Sequence, residues 1–435
     1  MKNILILIAL FISFKTLSAQ DGGLAGPSQP VILKYADSLV GGTSPEGPTR
    51  ELIGNVQLTQ GNVTVTCNRA IQYLTSNRVE LIGNVKIEQG TMTILAPRVD
   101  YNGAANTSYA SNGIKVIDRA TTVTAAQGTY STITHIVNFR QNVVVEDDSL
   151  KIWADALDYH RDTENSFAKG DVLLKPKKSR TYLEGDSIAN IRQQNYISIS
   201  GKPLLLQIDS VKNNNDDSFK NSFTYDTLII SADTMETYRG VKERYIAKGN
   251  VEMTRGVIAS RSDSAIYEKS NELIRLLKTP ILWMDSTQLS ADTINVSIPQ
   301  RRLKAIFARQ NAVAVSRDDS VYTDRLNQLT GKNITINIGE DKVEHILSEG
   351  DAKSLYFLFS EEGADGMARN TADTIQVAFA EGKPGEIIWL GAVEGESFPE
   401  KIIAGKTNDY NLPEFRWSPD RPFKKSLRKI RITNP

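Results

Sequence analysis

Residues 80–102 read ELIGNVKIEQGTMTILAPRVDYN and nearly repeat residues 51–73, ELIGNVQLTQGNVTVTCNRAIQY. A repeat of this length is the mark of a stacked architecture, so its extent decides the fold. Two anchors recur along the chain. The first is Gly-Asn-Val or a variant of it, starting at Gly54, Gly83, Gly113, Gln141, Gly170, Gly201, Gly249, Thr279, Gln310, Gly350 and Gly391. The second reads small, polar, any, apolar, any, aromatic or β-branched, and starts at Cys67, Ala96, Ala125, Ala154, Gly185, Ala232, Ser262, Ala291, Gly331 and Ala372. Successive second anchors lie 29, 29, 29, 31, 47, 30, 29, 40 and 41 residues apart, which gives about ten repeats with extra residues in three of them.

Within a repeat the apolar residues alternate: Val85 and Ile87 share one face with Met92, Ile94 and Ala96, while Lys86, Glu88 and Thr93 take the other. Period two with Val, Ile, Thr and Tyr between glycines is the strand-and-turn pattern. The expected fold is all-β and repetitive, with two or three short strands per repeat stacked into a continuous core. Only residues 427–432, LRKIRI, leave helix and strand both open. The longest excess, around residues 211–222, is polar and divides the chain into arrays over 30–210 and 223–400, with a basic tail over 401–435. Residues 360–370, SEEGADGMARN, read as a second polar loop.

The chain opens with MKNILILIALFISFKTLSAQ, a Lys2 followed by an apolar run over 4–14 and the small-residue end Leu17-Ser18-Ala19. That run fits a secretory signal and is short for a membrane span, so residues 1–19 are expected to be a cleaved signal peptide and the rest exported. Lys and Arg total 51 against 51 Asp and Glu, which offers nucleic acid no basic face. The lone Cys67 can form no internal disulfide, and it fits the small-residue column as a buried apolar group.

That column, from Ala96 through Ala125, Ala154, Gly185, Ala232, Ser262, Ala291, Gly331 and Ala372, either lets two sheets approach closely or leaves a trough between them. The residues alone do not choose. Asp155, Asp186, Asp233, Asp263, Asp292 and Asp373 follow the small anchor, where stacked carboxylates suggest a metal ladder or an acid pair. Asn68, Pro97, Ala126 and Lys332 interrupt the series, and Asp beside Ser or Thr is ordinary turn chemistry. His135, His160 and His345 show no ligand spacing, and Tyr101, Tyr130, Tyr159 and Tyr267 read as a packing ladder. No cofactor or metal is expected. The run RPFKKSLRKIRI, residues 421–432, reads as a solvated or partner-docking tail, or as a basic mouth that steers phosphate.

The GNV strand, the A-x-x-V-x-Y strand and EHILSEGDAKSLYFLF at residues 344–359 resemble the OstA/LptA-like domains of lipopolysaccharide transport, and the SADT spelling at 231–234 and 290–293 resembles Bacteroidetes-type OstA-like proteins. The resemblance covers roughly residues 31–398. It implies a β-jellyroll or V-shaped solenoid, open at both ends, that carries acyl chains of lipid A through the periplasm toward the outer membrane and has no enzymatic activity. It also implies pairing of edge strands, around 31–58 and 387–393, with other jellyroll components or with a second copy head to tail. The groove would be lined by Val56, Leu58, Val63, Val65, Val85, Ile87, Met92, Ile94, Val143, Val145, Ile152, Val251, Met253 and Ile258. The competing reading is a periplasmic or surface scaffold with a filled core and no lipid cargo.

Overall fold

The computed structural model describes residues 31–212, 223–240, 242–317, 322–339, 342–361, 363–380, 383–423 and 425. The expected signal peptide, the end of the basic tail and most of the 211–222 stretch lie outside the described residues. The chain divides into two compact units, the first running to Gly201 and the second starting at Lys202. The flanking strands Leu204–Lys212 and Phe223–Ser231 pair with each other within the second unit.

Both units are antiparallel and almost entirely β, as the alternation requires. Short strands were expected, but many are long: a repeat is two strands of eleven or twelve residues, such as Arg78–Gln89 and Met92–Asn102, joined by a tight turn. Each first anchor is a corner, either inside such a strand or between two shorter ones. At Gly54-Asn55, Gly83-Asn84, Asn112-Gly113, Gln141-Asn142, Gly170-Asp171, Gly201-Lys202, Gly249-Asn250, Lys278-Thr279, Gln310-Asn311, Gly350-Asp351 and Gly391-Ala392, two consecutive residues have positive φ. The pair inserts one extra residue against its neighbours. Ile82 and Val85 face Arg98 and Ala96, three steps on one strand against two on the other. A bulge of this kind bends a strand without ending its ladder.

Bending every strand at the same level gives each unit two walls whose apolar faces meet. In the first unit, the wall before the corner carries the cross-strand row Leu52, Ala70, Leu81, Val99, Ala110, Gly128, Phe139, Leu157, Ala168, Ile188 and Ile199. The wall after the corner carries Leu58, Val65, Ile87, Ile94, Val116, Val123, Val145, Ile152, Leu174 and Leu183. The walls touch: a Cβ on Gly128 would stand 2.8 Å from Ile114 Cδ1. The small column is explained by pairing at the corner, where Val56 faces Cys67, Val85 faces Ala96, Val143 faces Ala154 and Val172 faces Gly185. A large and a small residue alternate, which lets the walls converge there.

The expected loop at 360–370 is a correction. After a turn, the strand Gly363–Ala380 runs through it, paired with both Lys342–Ser360 and Glu394–Pro399. Met367 within it is fully buried, packed in one cluster with Leu355, Phe357, Ile403 and Leu412. Ile403 and Leu412 come from the C-terminal segment, a partner too distant in sequence for local polarity to reveal.

Candidate functional site

Each expected groove residue falls on the inward face of its own unit's corner-following wall, eleven in the first unit and Val251, Met253 and Ile258 in the second. Val56, Val85, Val143 and Val251 form the corner row and are 1–2 % exposed. Leu58, Val65, Ile87, Ile94, Val145, Ile152 and Met253 occupy the next row out, while Val63, Met92 and Ile258 stand at its rim.

The first unit's row is not uniform. Leu33, paired with Leu58, is 44 % exposed, and Leu58, Val65, Ile87, Ile94 and Val116 are all partly exposed. Beyond them exposure falls to 9 % at Val123, 4 % at Val145, Ile152 and Leu174, and 1 % at Leu183. The interior narrows along the strands. Where it has closed, Val143, Val145, Ile152 and Ala154 of one wall face Leu157, Ser166, Ala168 and Ile188 of the other around a void of about 20 Å³. That is space for about one water.

The aspartate column belongs to the corners. A Cβ on Gly54, Gly170, Gly201, Gly249 or Gly391 would stand 2.0 to 2.4 Å from an atom of Asp37, Asp155, Asp186, Asp233 or Asp373, respectively. The backbone N–H of Asp233 donates to Gly249 O at 2.9 Å, and its carboxylate accepts from Asn250 Nδ2 at 2.9 Å. Asp292 does the same with Gln310 O at 3.0 Å and Asn311 Nδ2 at 3.0 Å. Asp263 pairs with Lys278 at 2.7 Å. These acids clasp the next strand's bend, while at Gly83 and Gly350 the same place is taken by Asn68 and Lys332.

The histidines stand apart: His135 meets Asp162 at 2.8 Å, His160 packs edge-on against Phe167, and His345 lies opposite Asn337 and Ala378. Among the described residues no three His, Cys, Asp or Glu come together as metal ligands. Cys67 is 4 % exposed, and burial pushes its thiol up from the usual range. Tyr101, Tyr130 and Tyr159 share one inward row of the first unit, alternating with Ser108, Val137 and Ser166, while Tyr267 stacks on Tyr245 in the second at 5.9 Å.

Burial, the largest cause, pushes Tyr159 up to about 12. The neutral phenol is therefore favoured in the folded state. Its contribution is complete below the unfolded value near 10 and is lost as pH rises through about 12. Tyr159→Phe is expected to flatten the decline of the urea midpoint between pH 10 and 12, read by circular dichroism; an unchanged decline would assign it to other groups.

Sequence alternation did not reveal what covers the second unit from outside. After the short helix Glu400–Ile403, the chain crosses the outer face of the corner-following wall, meeting its strands in reverse order. Leu412 N–H donates to Gln328 Oε1 at 2.9 Å, Ser418 N–H to Gln288 Oε1 at 2.8 Å and Trp283 Nε1 to Ser418 O at 3.4 Å. Arg421 donates to Asp285 O at 2.8 Å, and Lys425 reaches Glu252 at 2.6 Å and Ser231 Oγ at 2.9 Å. The described start of the basic run is thus docked on its own chain. A signal was present: ILWM at 281–284 and AVAV at 312–315 are apolar without alternation, which means burial on both faces.

Bent antiparallel strands in register, with apolar walls face to face within each of two units, define a β-repeat protein. Parts of the chain are similar to OstA/LptA-like proteins: residues 28–111 and 91–155 match the family described as OstA-like protein, and residues 222–302 match the family described as LptA/(LptD N-terminal domain) LPS transport protein. Among solved structures it is similar to LptH, the LptA homologous periplasmic component of the lipopolysaccharide transport device from Pseudomonas aeruginosa, at 15% identity and a TM-score of 0.21 over 27% of this chain and 75% of that one. No curated protein matches the sequence.

Proposed function

We propose that this chain is a non-enzymatic periplasmic bridge in lipopolysaccharide transport, holding lipid A acyl chains against its inward apolar row on their way to the outer membrane. The observation that carries the reading is the run of Leu58, Val65, Ile87, Ile94 and Val116, five branched aliphatic residues on successive paired strands, all partly exposed to the interior. Each methylene taken from water is worth about 0.8 kcal/mol, and equivalent contacts on every strand let a chain move without meeting one deep well. The family matches support lipopolysaccharide as the cargo.

Edge strands supply the contacts for assembly. Ile32–Tyr35 and Ser38–Ser44 pair only with Gly47–Gln60 among the described residues, and Ile32, Leu33, Tyr35, Leu39 and Val40 are 44–61 % exposed. At the other end Lys383–Leu390 carries Ile388 and Leu390 at 39 % and 45 %. Such edges accept a strand from another transport component or a second copy.

The second reading, a filled scaffold without cargo, is favoured by the small void beside Val145 and Ile152. A photo-crosslinking residue at Ile94, with outward-facing Leu95 as control, separates the two in cells. Lipopolysaccharide adducts at Ile94 and none at Leu95 are expected, and no adduct at Ile94 would leave the scaffold.

A further inference from the structure

The corresponding inward row of the second unit is partly exposed at Met253 and Leu329 and closed between them. Met253, Ser260, Leu282, Leu289, Ala314 and Leu329 lie on successive paired strands, and Ser260, Leu282 and Leu289 are 1–3 % exposed. The facing wall is tighter still: Leu276, Ile294, Ala308, Ile334 and Ile375 are all 0 % exposed. Trp389 of that wall donates through Nε1 to Ser354 Oγ of the other at 3.2 Å, a polar link across the interior.

Separating these walls means moving the corner-following one, and its other face is occupied. The segment over 400–425 holds it through three ion pairs on three strands or their turns: Arg325 with Glu400 at 2.5 Å, Lys353 with Glu414 at 2.5 Å and Glu252 with Lys425 at 2.6 Å. Between them Ile403 and Leu412 pack on Leu355, Phe357 and Met367. The wall is clamped between one apolar cluster outside and another, around Ala352, Ala372, Ile375 and Val377, inside. In the first unit the outward positions of the same wall, Thr64, Thr66, Lys86, Glu88 and Thr93, are polar or charged and partly exposed.

We propose that the acyl-binding site is confined to the leading strands of the first unit, from Leu33 to Val116, and that the C-terminal segment keeps the second unit shut as a closed body that takes no acyl chain. This rests on the lipid reading above and adds where along the chain the lipid sits. A chain entering between Leu289 and Ile294 would have to part fully packed walls and strip the segment from the outer face. Beside Ile94 it would cover surface already exposed.

The test uses the purified full chain and purified lipopolysaccharide, with a small diazirine-bearing aliphatic residue placed singly at Leu58, Ile94, Leu282 or Leu289. Adducts are expected at Leu58 and Ile94 and none at Leu282 or Leu289. With Glu414→Arg and Glu400→Arg combined to repel the segment from Lys353 and Arg325, adducts at Leu289 are expected to appear. Adducts at Leu289 of the unaltered chain as strong as those at Ile94 overturn the confinement and leave the lipid reading standing. Absence of adducts at all four positions overturns the lipid reading itself. If the repelled variant remains folded by circular dichroism, becomes protease-sensitive over 400–425 and still gives no adduct at Leu289, the segment is not what shuts the second unit.

Discussion

Gly249→Ala is expected to lower the stability of the second unit by about 3 kcal/mol, read as a shift of the urea midpoint with little change in slope. Two costs combine. Gly249 has φ +74°, a conformation that costs an L-residue about 1–2 kcal/mol. The added Cβ would stand 2.2 Å from Asp233 Oδ2 and 2.8 Å from its Cγ, so the carboxylate must leave. That breaks the exposed Asn250 Nδ2 bond to the carboxylate and disturbs the Asp233 N–H bond to Gly249 O, a loss of about 1–1.5 kcal/mol. Gly90 separates the two. It has φ +58° with nothing within 4 Å of a built Cβ, so Gly90→Ala is expected to cost only the conformational part, about 1 kcal/mol. Equal shifts for the two variants would mean that the Asp clasp adds nothing and the glycine is needed for its dihedral alone.

The corners also show how far the sequence could be read. Every Gly-Asn-Val anchor found by repetition is a corner, including those without glycine at Gln141-Asn142, Lys278-Thr279 and Gln310-Asn311. The repeat located them because each corner must meet the same partner, the small and polar pair of the preceding strand. What the letters did not carry is that pairing continues through the bend, which turns expected short strands into long ones such as Gly47–Gln60. Alternation correctly placed Val85, Ile87, Met92 and Ile94 on one face. It could not say how far that face stands from the wall opposite, since the gap depends on contacts such as Gly128 against Ile114, set by the bend rather than by either strand. The trough and the filled core were both legible as options. They coexist, partly open at Ile94 and closed at Ile152 and Leu289. The docking of the C-terminal segment on its own chain was harder to read: its polar spelling suits a solvated or partner-docking tail, and only the non-alternating runs at 281–284 and 312–315 record that something covers the wall.

Arg325→Ala is expected to release the start of that segment and destabilise the second unit by about 2–3 kcal/mol, the cost of a lost charge-assisted hydrogen bond to a partly exposed Glu400. The Arg325 side chain is 5 % exposed and donates from Nη1 and Nη2 to both oxygens of Glu400, at 2.9 and 2.5 Å. Glu400, the largest cause, pushes the guanidinium above its already high range, so the pair stays charged across the accessible alkaline range. The guanidinium also lies 4.6 Å from the Tyr322 ring centroid and 5.5 Å from that of Phe357, so truncation leaves a cavity lined by rings as well as an unpaired carboxylate. Arg325→Lys keeps the charge but not the two-pronged geometry and should recover only part of the loss. Limited proteolysis distinguishes release from general unfolding. Cleavage over residues 404–420 should accelerate in Arg325→Ala under conditions where the first unit's strands stay protected. Cleavage in Arg325→Ala no faster than in the parent chain would place the anchor elsewhere, with Leu412 and Ile403 holding the segment through the cluster around Met367.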